Sequence, residues 1–255
     1  CVCIFSFLAF YMSRRSEDTI SNVGKIYMSG MSQQISMHFE TTMDLRLSQV
    51  EALVETNSPG TKSRDDLVED LVYSARARGF EHLAFYSTDG TFETLYGSEL
   101  TVTDPEPFLA SLNASGKKIA VGTDTYGTRL VLMGVSSTYP MSGGKTCTAL
   151  VAALPVDYIS ETLSLDNEDG MMYSHIIRQD GTFVIRSGEA FRDNYFDRIY
   201  AIYDELGGSD AGRHVQELQA AMDAGEDYST VLVIGKEHRH LLCTKLPYSE
   251  WYLVV

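Results

Sequence analysis

The tetrapeptide Asp89-Gly-Thr-Phe92 returns as Asp180-Gly-Thr-Phe183, 91 residues further on. Each copy lies between two short runs of strand character: His82–Tyr86 and Thr91–Tyr96 first, Tyr173–Arg178 and Thr182–Arg186 later. Asp-Gly between such runs signals a hairpin, because glycine accepts the left-handed backbone of a tight turn. The elements that follow also match. A short helix (Pro107–Asn113) and three β-like runs (Lys118–Gly122, Thr128–Ser136, Lys145–Leu154) come after the first hairpin. Two helices (Ala190–Leu206, Ala211–Ala224) and three runs (Tyr228–Ile234, Arg239–Leu246, Trp251–Val255) come after the second. Four identical residues alone would be a weak repeat. Their agreement with element order makes the chain two copies of one supersecondary unit.

Ahead of the repeat, Ser13–Glu55 contains no proline and two glycines. Apolar residues recur at Ile20, Val23, Tyr27, Met31, Ile35, Phe39, Met43, Leu47, Val50 and Val54, every three or four positions. That is one stripe along a single long helix of about 60 Å. Asn57-Ser-Pro-Gly60 ends it. A second helix is expected over Arg64–Arg78, with Leu67, Val68, Leu71, Val72 and Ala75 inward and Gly79 as its cap. Pro155–Leu163 reads as a connecting helix and Asp166–Gly170 as a polar linker. The expected divisions are a membrane-helix end at 1–12, a stalk helix at 13–57, and modules at 64–163 and 170–255.

The formal net charge is −15, and the longest basic runs are Arg14-Arg15 and Lys117-Lys118. Nucleic-acid binding needs clustered cations that this chain lacks. Cys1–Met12 is apolar and uncharged but too short to span a bilayer. It is read as the outer end of a transmembrane helix, which puts the rest outside the cytoplasm. A second membrane helix beyond Trp251–Val255 is expected. Cys147 and Cys243 stand alone in β-like runs and read as buried thiols.

The long helix stripe, the two Asp-Gly-Thr-Phe hairpins and the closing Trp251–Val255 together resemble the double Cache family over essentially the whole chain. Its members are sensor ectodomains of bacterial histidine kinases, chemoreceptors and diguanylate cyclases. The resemblance implies an α+β fold: a long N-terminal helix followed by two PAS-like modules with antiparallel sheets. It also implies a small-molecule ligand in the membrane-distal module (about 65–155), membrane attachment through flanking helices, and a homodimer. Ser174–Arg186 resembles the membrane-proximal module of sensor histidine kinases, often hybrid ones. An amino-acid-binding branch carries an Arg-x-Trp element after the first hairpin. Here the stretch reads Asp104-Pro-Glu-Pro-Phe-Leu109, so an amino-acid ligand is not implied.

Five residues are candidate ligand contacts. Arg129, beside Tyr126, has the guanidinium fork that grips a carboxylate; a solvent-facing strand residue is the plainer reading. Tyr86, Tyr126 and Tyr139 are candidates to line a pocket with orienting hydroxyls, against ordinary core or rim packing. Asp157 suits a ligand amine, or flanks the Pro155 helix. His238-Arg239-His240 has the alternation of a metal-binding strand, but no third ligand lies nearby except Glu237, which points the other way in a regular strand. Asp166–Gly170 departs from a calcium loop in its glycine position. No GxSxG, HExxH or P-loop occurs. The expectation is a sensor with no catalytic residues and no cofactor. The parent receptor implied by the resemblance is a (hybrid) sensor histidine kinase; a protein-binding ectodomain, or the sensor of a diguanylate cyclase or chemoreceptor, is the alternative.

Overall fold

The computed structural model describes residues 2–58, 60, 62–163, 173–186, 192–235 and 237–255, with backbone only for 2–18, 20 and 21. The acidic run Asp166–Gly170 and the side chains of Cys1–Met12 lie outside this description. No helix among the described residues is long and apolar enough to cross a membrane.

Helix α1 runs Val2–Thr56 and α2 Arg64–Ala77. The first sheet comprises β1 (His82–Tyr86), β2 (Phe92–Tyr96), β3 (Leu100–Val102), β4 (Lys117–Asp124), β5 (Arg129–Ser136) and β6 (Ala149–Pro155). Helix α3 (Pro105–Ser115) lies between β3 and β4, and α4 (Val156–Leu163) follows β6. The second sheet comprises β7 (His175–Arg178), β8 (Phe183–Ile185), β9 (Tyr228–Ile234), β10 (Glu237–Lys245) and β11 (Trp251–Val254), with α5 (Tyr195–Leu206) and α6 (Ala211–Ala224) between β8 and β9. The strand orders are β2-β1-β6-β5-β4-β3 and β8-β7-β11-β10-β9. Apart from β3, a three-residue edge strand that the sequence pattern did not announce, the two orders are identical.

The repeat is also identical at its turns. Tyr86 pairs with Phe92, and Ile177 with Phe183. Gly90 N–H donates to the Ser87 carbonyl (3.1 Å) and Gly181 N–H to the Arg178 carbonyl (2.9 Å). Asp89 Oδ1 accepts from Thr91 N–H and Asp180 Oδ1 from Thr182 N–H. Both glycines have φ of +81°. Their surroundings differ. A Cβ on Gly181 would stand 2.6 Å from Phe196 Cδ2 and 2.7 Å from Asn194 Oδ1, whereas on Gly90 it would meet only Tyr86 Oη at 3.8 Å. Gly181→Ala is therefore expected to cost about 2–3 kcal/mol and Gly90→Ala about 1 kcal/mol, backbone strain being common to both and the clash specific to the first. Urea denaturation of the two variants measures the difference.

Two compact units emerge. One comprises His38–Asn167 and Leu246–Trp251, the other Cys1–Met37, Glu168–Lys245 and Tyr252–Val255. In the first, α1 buries Phe39, Met43, Leu47, Val50 and Leu53, and Phe39 meets Trp251 edge-on at 6.1 Å. Leu53 faces inward where the spacing pointed to Val54, because a three-residue step after Val50 keeps the face in line. Val23 and Tyr27, placed in the stripe by periodicity, are exposed; apolar spacing marks a face without specifying what covers it. Segment 246–251 is tied to the first unit by Ile119 N–H on the Tyr248 carbonyl (2.9 Å), Tyr248 Oη on Asp44 Oδ1 (2.5 Å) and Lys118 on Glu250 (2.7 Å).

In the second unit, Phe196, Ile199 and Tyr203 of α5 pack with Val215, Leu218 and Met222 of α6 and with β9, β10 and β11. Helix α5 starts at Tyr195, later than the Ala190 expected, because Asn194 caps it by accepting Phe196 N–H (2.8 Å). Its buried face is shifted accordingly, and Phe191 lies outside the described residues. Strand β6 likewise starts at Ala149 and not Lys145. Met141 N–H bonds the Lys145 carbonyl and Cys147 N–H the Tyr139 carbonyl, making 139–147 a separate excursion. Cys147 and Cys243 are buried free thiols.

Candidate ligand-binding face

The two faces of the first sheet differ in kind. Alternation along the strands sends Leu83 and Phe85 to one side and Ala84 and Tyr86 to the other. The second face belongs to α3. Ala84, Tyr86, Leu130, Leu132, Ala149, Val151 and Ala153 form one apolar cluster with Phe108 and Leu112 of α3 and with Leu100 and Val102 of β3. Small residues let the helix sit close. A Cβ on Gly134 would stand 2.8 Å from Phe108 Cζ and 3.0 Å from Leu112 Cδ2.

Within this apolar face lies one polar group without a partner. The Tyr86 ring is fully buried between Phe92 (4.7 Å between centroids) and Phe108 (5.2 Å). Its hydroxyl makes no hydrogen bond among the described residues. Burial, and then the nearby Asp89 carboxylate, push the phenol above its ordinary pKa, so it stays a neutral donor. Leaving such a group unsatisfied costs about 1–3 kcal/mol.

The structure does not gather the five sequence candidates into one cluster. Tyr86 pairs with Ala149, whereas Leu130 pairs with Pro155; six residues of strand, about 20 Å, separate the two levels. Arg129, exposed at the start of β5, Tyr126 in the β4–β5 turn and Asp157 in the first turn of α4 share the far end of the sheet. Tyr126 is 87% exposed. Tyr139 serves the opposite face, stacking on Phe85 at 5.3 Å and donating to the Val54 carbonyl at 3.1 Å.

The end that holds Arg129 also carries a polar chain that sequence reasoning missed. His82 Nδ1 accepts from Ser98 N–H (3.2 Å), Ser98 Oγ donates to Asp124 Oδ2 (3.3 Å), and Asp124 Oδ1 accepts from Tyr126 N–H (2.9 Å) and Thr128 N–H (2.8 Å). Ser98 stands between histidine and carboxylate, the reverse of a hydrolytic triad, in which histidine takes the middle. The arrangement ties the ends of β1 and β4 together. No sequence motif announces it, since its members are 16 and 26 residues apart. Among the described residues, a groove of about 450 Å³ is lined by α2 alone, through Arg64, Asp65, Val68, Glu69, Val72, Tyr73 and Arg76. Among the described residues no cluster of three or more metal-ligating side chains occurs, His238 and His240 included.

No protein-family model matches this sequence, and no curated protein is similar to it. Solved structures share the fold. The ligand-binding domain of the amino acid chemoreceptor PctB of Pseudomonas aeruginosa PAO1, in complex with L-Gln, superposes with a TM-score of 0.56 at 13% identity, covering 89% of this chain and 88% of that one. The ligand-binding domain of the Pseudomonas fluorescens chemoreceptor CtaA with L-alanine gives 0.57 at 14% identity, covering 89% and 94%. The extracellular domain assigned to a histidine kinase, mmHK1S-Z2, gives 0.61 at 9% identity, covering 90% and 95%. The long helix followed by two antiparallel PAS-like modules is thus the architecture of these sensor ectodomains.

Proposed function

We propose that this chain is the extracytoplasmic ligand-sensing region of a membrane receptor, and that a small polar molecule binds on the α3 face of the six-stranded module. The carrying observation is the buried, unpartnered Tyr86 hydroxyl on that face. A ligand acceptor meeting it recovers the cost of an orphaned donor, which is a reason for the sequence to keep tyrosine and not phenylalanine there. Arg129, Tyr126 and Asp157 form a charged and aromatic rim at the far end of the sheet, available to a longer ligand; Tyr139 acts through packing. Folds of this kind in chemoreceptors and histidine kinases support the sensing role, without a catalytic step in this region.

Ligand binding acts by favouring one of two conformations. Helix α1 supplies core residues to this unit and segment 246–251 is anchored in it, so both are placed to carry the change. The output is a histidine kinase of hybrid type, with a diguanylate cyclase or a chemoreceptor as the alternative. A homodimer anchored by flanking membrane helices completes the proposal. A second reading, a protein-binding ectodomain, draws support from Leu130, Leu132 and Phe108 filling the α3 face with the chain's own side chains. A thermal-shift screen of polar metabolites separates the two. The sensing reading expects at least one compound to raise the melting temperature in a concentration-dependent manner. A screen in which every class of metabolite leaves it unmoved removes that reading and leaves the protein-binding one.

A further inference from the structure

The second module places a different set of groups on its hairpin face. Residue 175 stands 91 positions after Ala84, at the equivalent place in the repeat, and here it is a histidine. His175 is 2% exposed. Its ring lies 5.2 Å from Phe183, 5.9 Å from Tyr195 and 6.4 Å from Tyr173. Arg198 of α5 reaches into this cluster, its Nη1 3.1 Å from His175 Nε2 and its guanidinium carbon 5.1 Å from the Tyr173 ring centroid. Burial first, then the charges of Arg198 and Arg186, hold the imidazole neutral with a pKa of about 3, so Nε2 serves as the acceptor for Arg198.

Arg198 is therefore held by a neutral imidazole and an aromatic face. Among the described residues no carboxylate forms an ion pair with it. Guanidinium has five donors in a rigid fork, and the bond from Nη1 to His175 uses one of them. In a chain of net charge −15, a partly buried cation without a carboxylate partner is unusual, and the aromatic walls beside it suit a flat apolar group.

We propose that Arg198, oriented by His175 and flanked by Tyr173 and Tyr195, forms a carboxylate-binding subsite in the five-stranded module, and that it takes small aromatic carboxylates. The subsite is independent of the ligand proposed for the six-stranded module. Arg198 supplies the charge and the hydrogen bonds, His175 fixes the guanidinium plane, and the rings select for a planar acid over an aliphatic or inorganic anion.

Calorimetric titration of the full chain with benzoate, acetate and inorganic phosphate at constant ionic strength tests this. Benzoate is expected to bind more tightly than acetate or phosphate. Arg198→Gln should weaken benzoate at least tenfold. Arg198→Lys, which keeps the charge but loses the fork, should fall between Arg198→Gln and the wild type. Arg213→Gln, which alters an exposed arginine paired with Asp210 and Glu217, should leave binding unchanged. If Arg198→Gln fails to fold by circular dichroism, Arg198→Lys carries the comparison. The proposal is overturned by the absence of benzoate binding up to about 10 mM, by undiminished binding in the folded Arg198 variants, by an equal loss in Arg213→Gln, or by phosphate binding more tightly than benzoate.

Discussion

Phe108→Ala should destabilise the six-stranded module by about 3–5 kcal/mol, the range for removing a buried aromatic ring whose site cannot collapse. Phe108 is 1% exposed. It packs edge-on against Tyr86 and directly over Gly134, where a Cβ would already be too close. The backbone of β5 cannot move into the space, since β4 and β6 pair with it along its length. The cavity would open beside the Tyr86 ring. The sole tryptophan, Trp251, is buried in the same unit, so urea denaturation followed by its fluorescence reports the loss. Phe108→Leu should recover more than half of it. A cost below about 1 kcal/mol for Phe108→Ala would mean that α3 is not seated on the sheet as described.

The second large effect is acid lability of the five-stranded module. His175 titrates near 6.5 when unfolded and at about 3 in the fold, because burial and then the neighbouring arginines oppose its charge. Between those values the unfolded chain binds a proton that the folded one refuses, so stability rises with pH across the window. The contribution is complete above pH 6.5 and is lost as pH falls. By pH 4.5 the loss should reach roughly 2–3 kcal/mol relative to neutral pH. His175→Asn retains an acceptor for Arg198 and cannot titrate. The difference in unfolding free energy between wild type and His175→Asn should therefore shrink steadily from pH 7 to 4.5, and a difference that stays constant with pH would contradict a buried, neutral His175.

Much of the architecture was legible because the repeat carries its own check. An Asp-Gly turn needs strands on both sides, and the same turn with the same followers implies the same topology. The order β2-β1-β6-β5-β4 in one sheet and β8-β7-β11-β10-β9 in the other realises that expectation. Boundaries were harder where side chains decide them. Asn194 starts α5 by capping it, and an asparagine in a polar stretch has no distinctive spacing. Strand β3 has three residues, too few for alternation to register.

The site was less legible than the fold. Arg129, Tyr126 and Asp157 attract notice as residue types, and the fold does bring them to one end of a sheet. Tyr86 and Tyr139 look alike in sequence, yet alternation and the excursion at 139–147 send them to opposite faces. One hydroxyl has a carbonyl partner and the other has none among the described residues. His82, Ser98 and Asp124, and likewise His175 and Arg198, meet only through strand pairing or helix packing. Periodicity does not encode those meetings.

The most direct test of ligand sensing on the α3 face is the thermal-shift screen carried out in parallel on the wild type and Tyr86→Phe. Removing an unpartnered buried hydroxyl should leave the unliganded protein as stable or up to about 1 kcal/mol more stable, while the stabilisation by any compound active on the wild type should be largely lost. A compound that stabilises both proteins equally, or a Tyr86→Phe variant that melts well below the wild type without ligand, would contradict the assignment of Tyr86 as a ligand-facing donor.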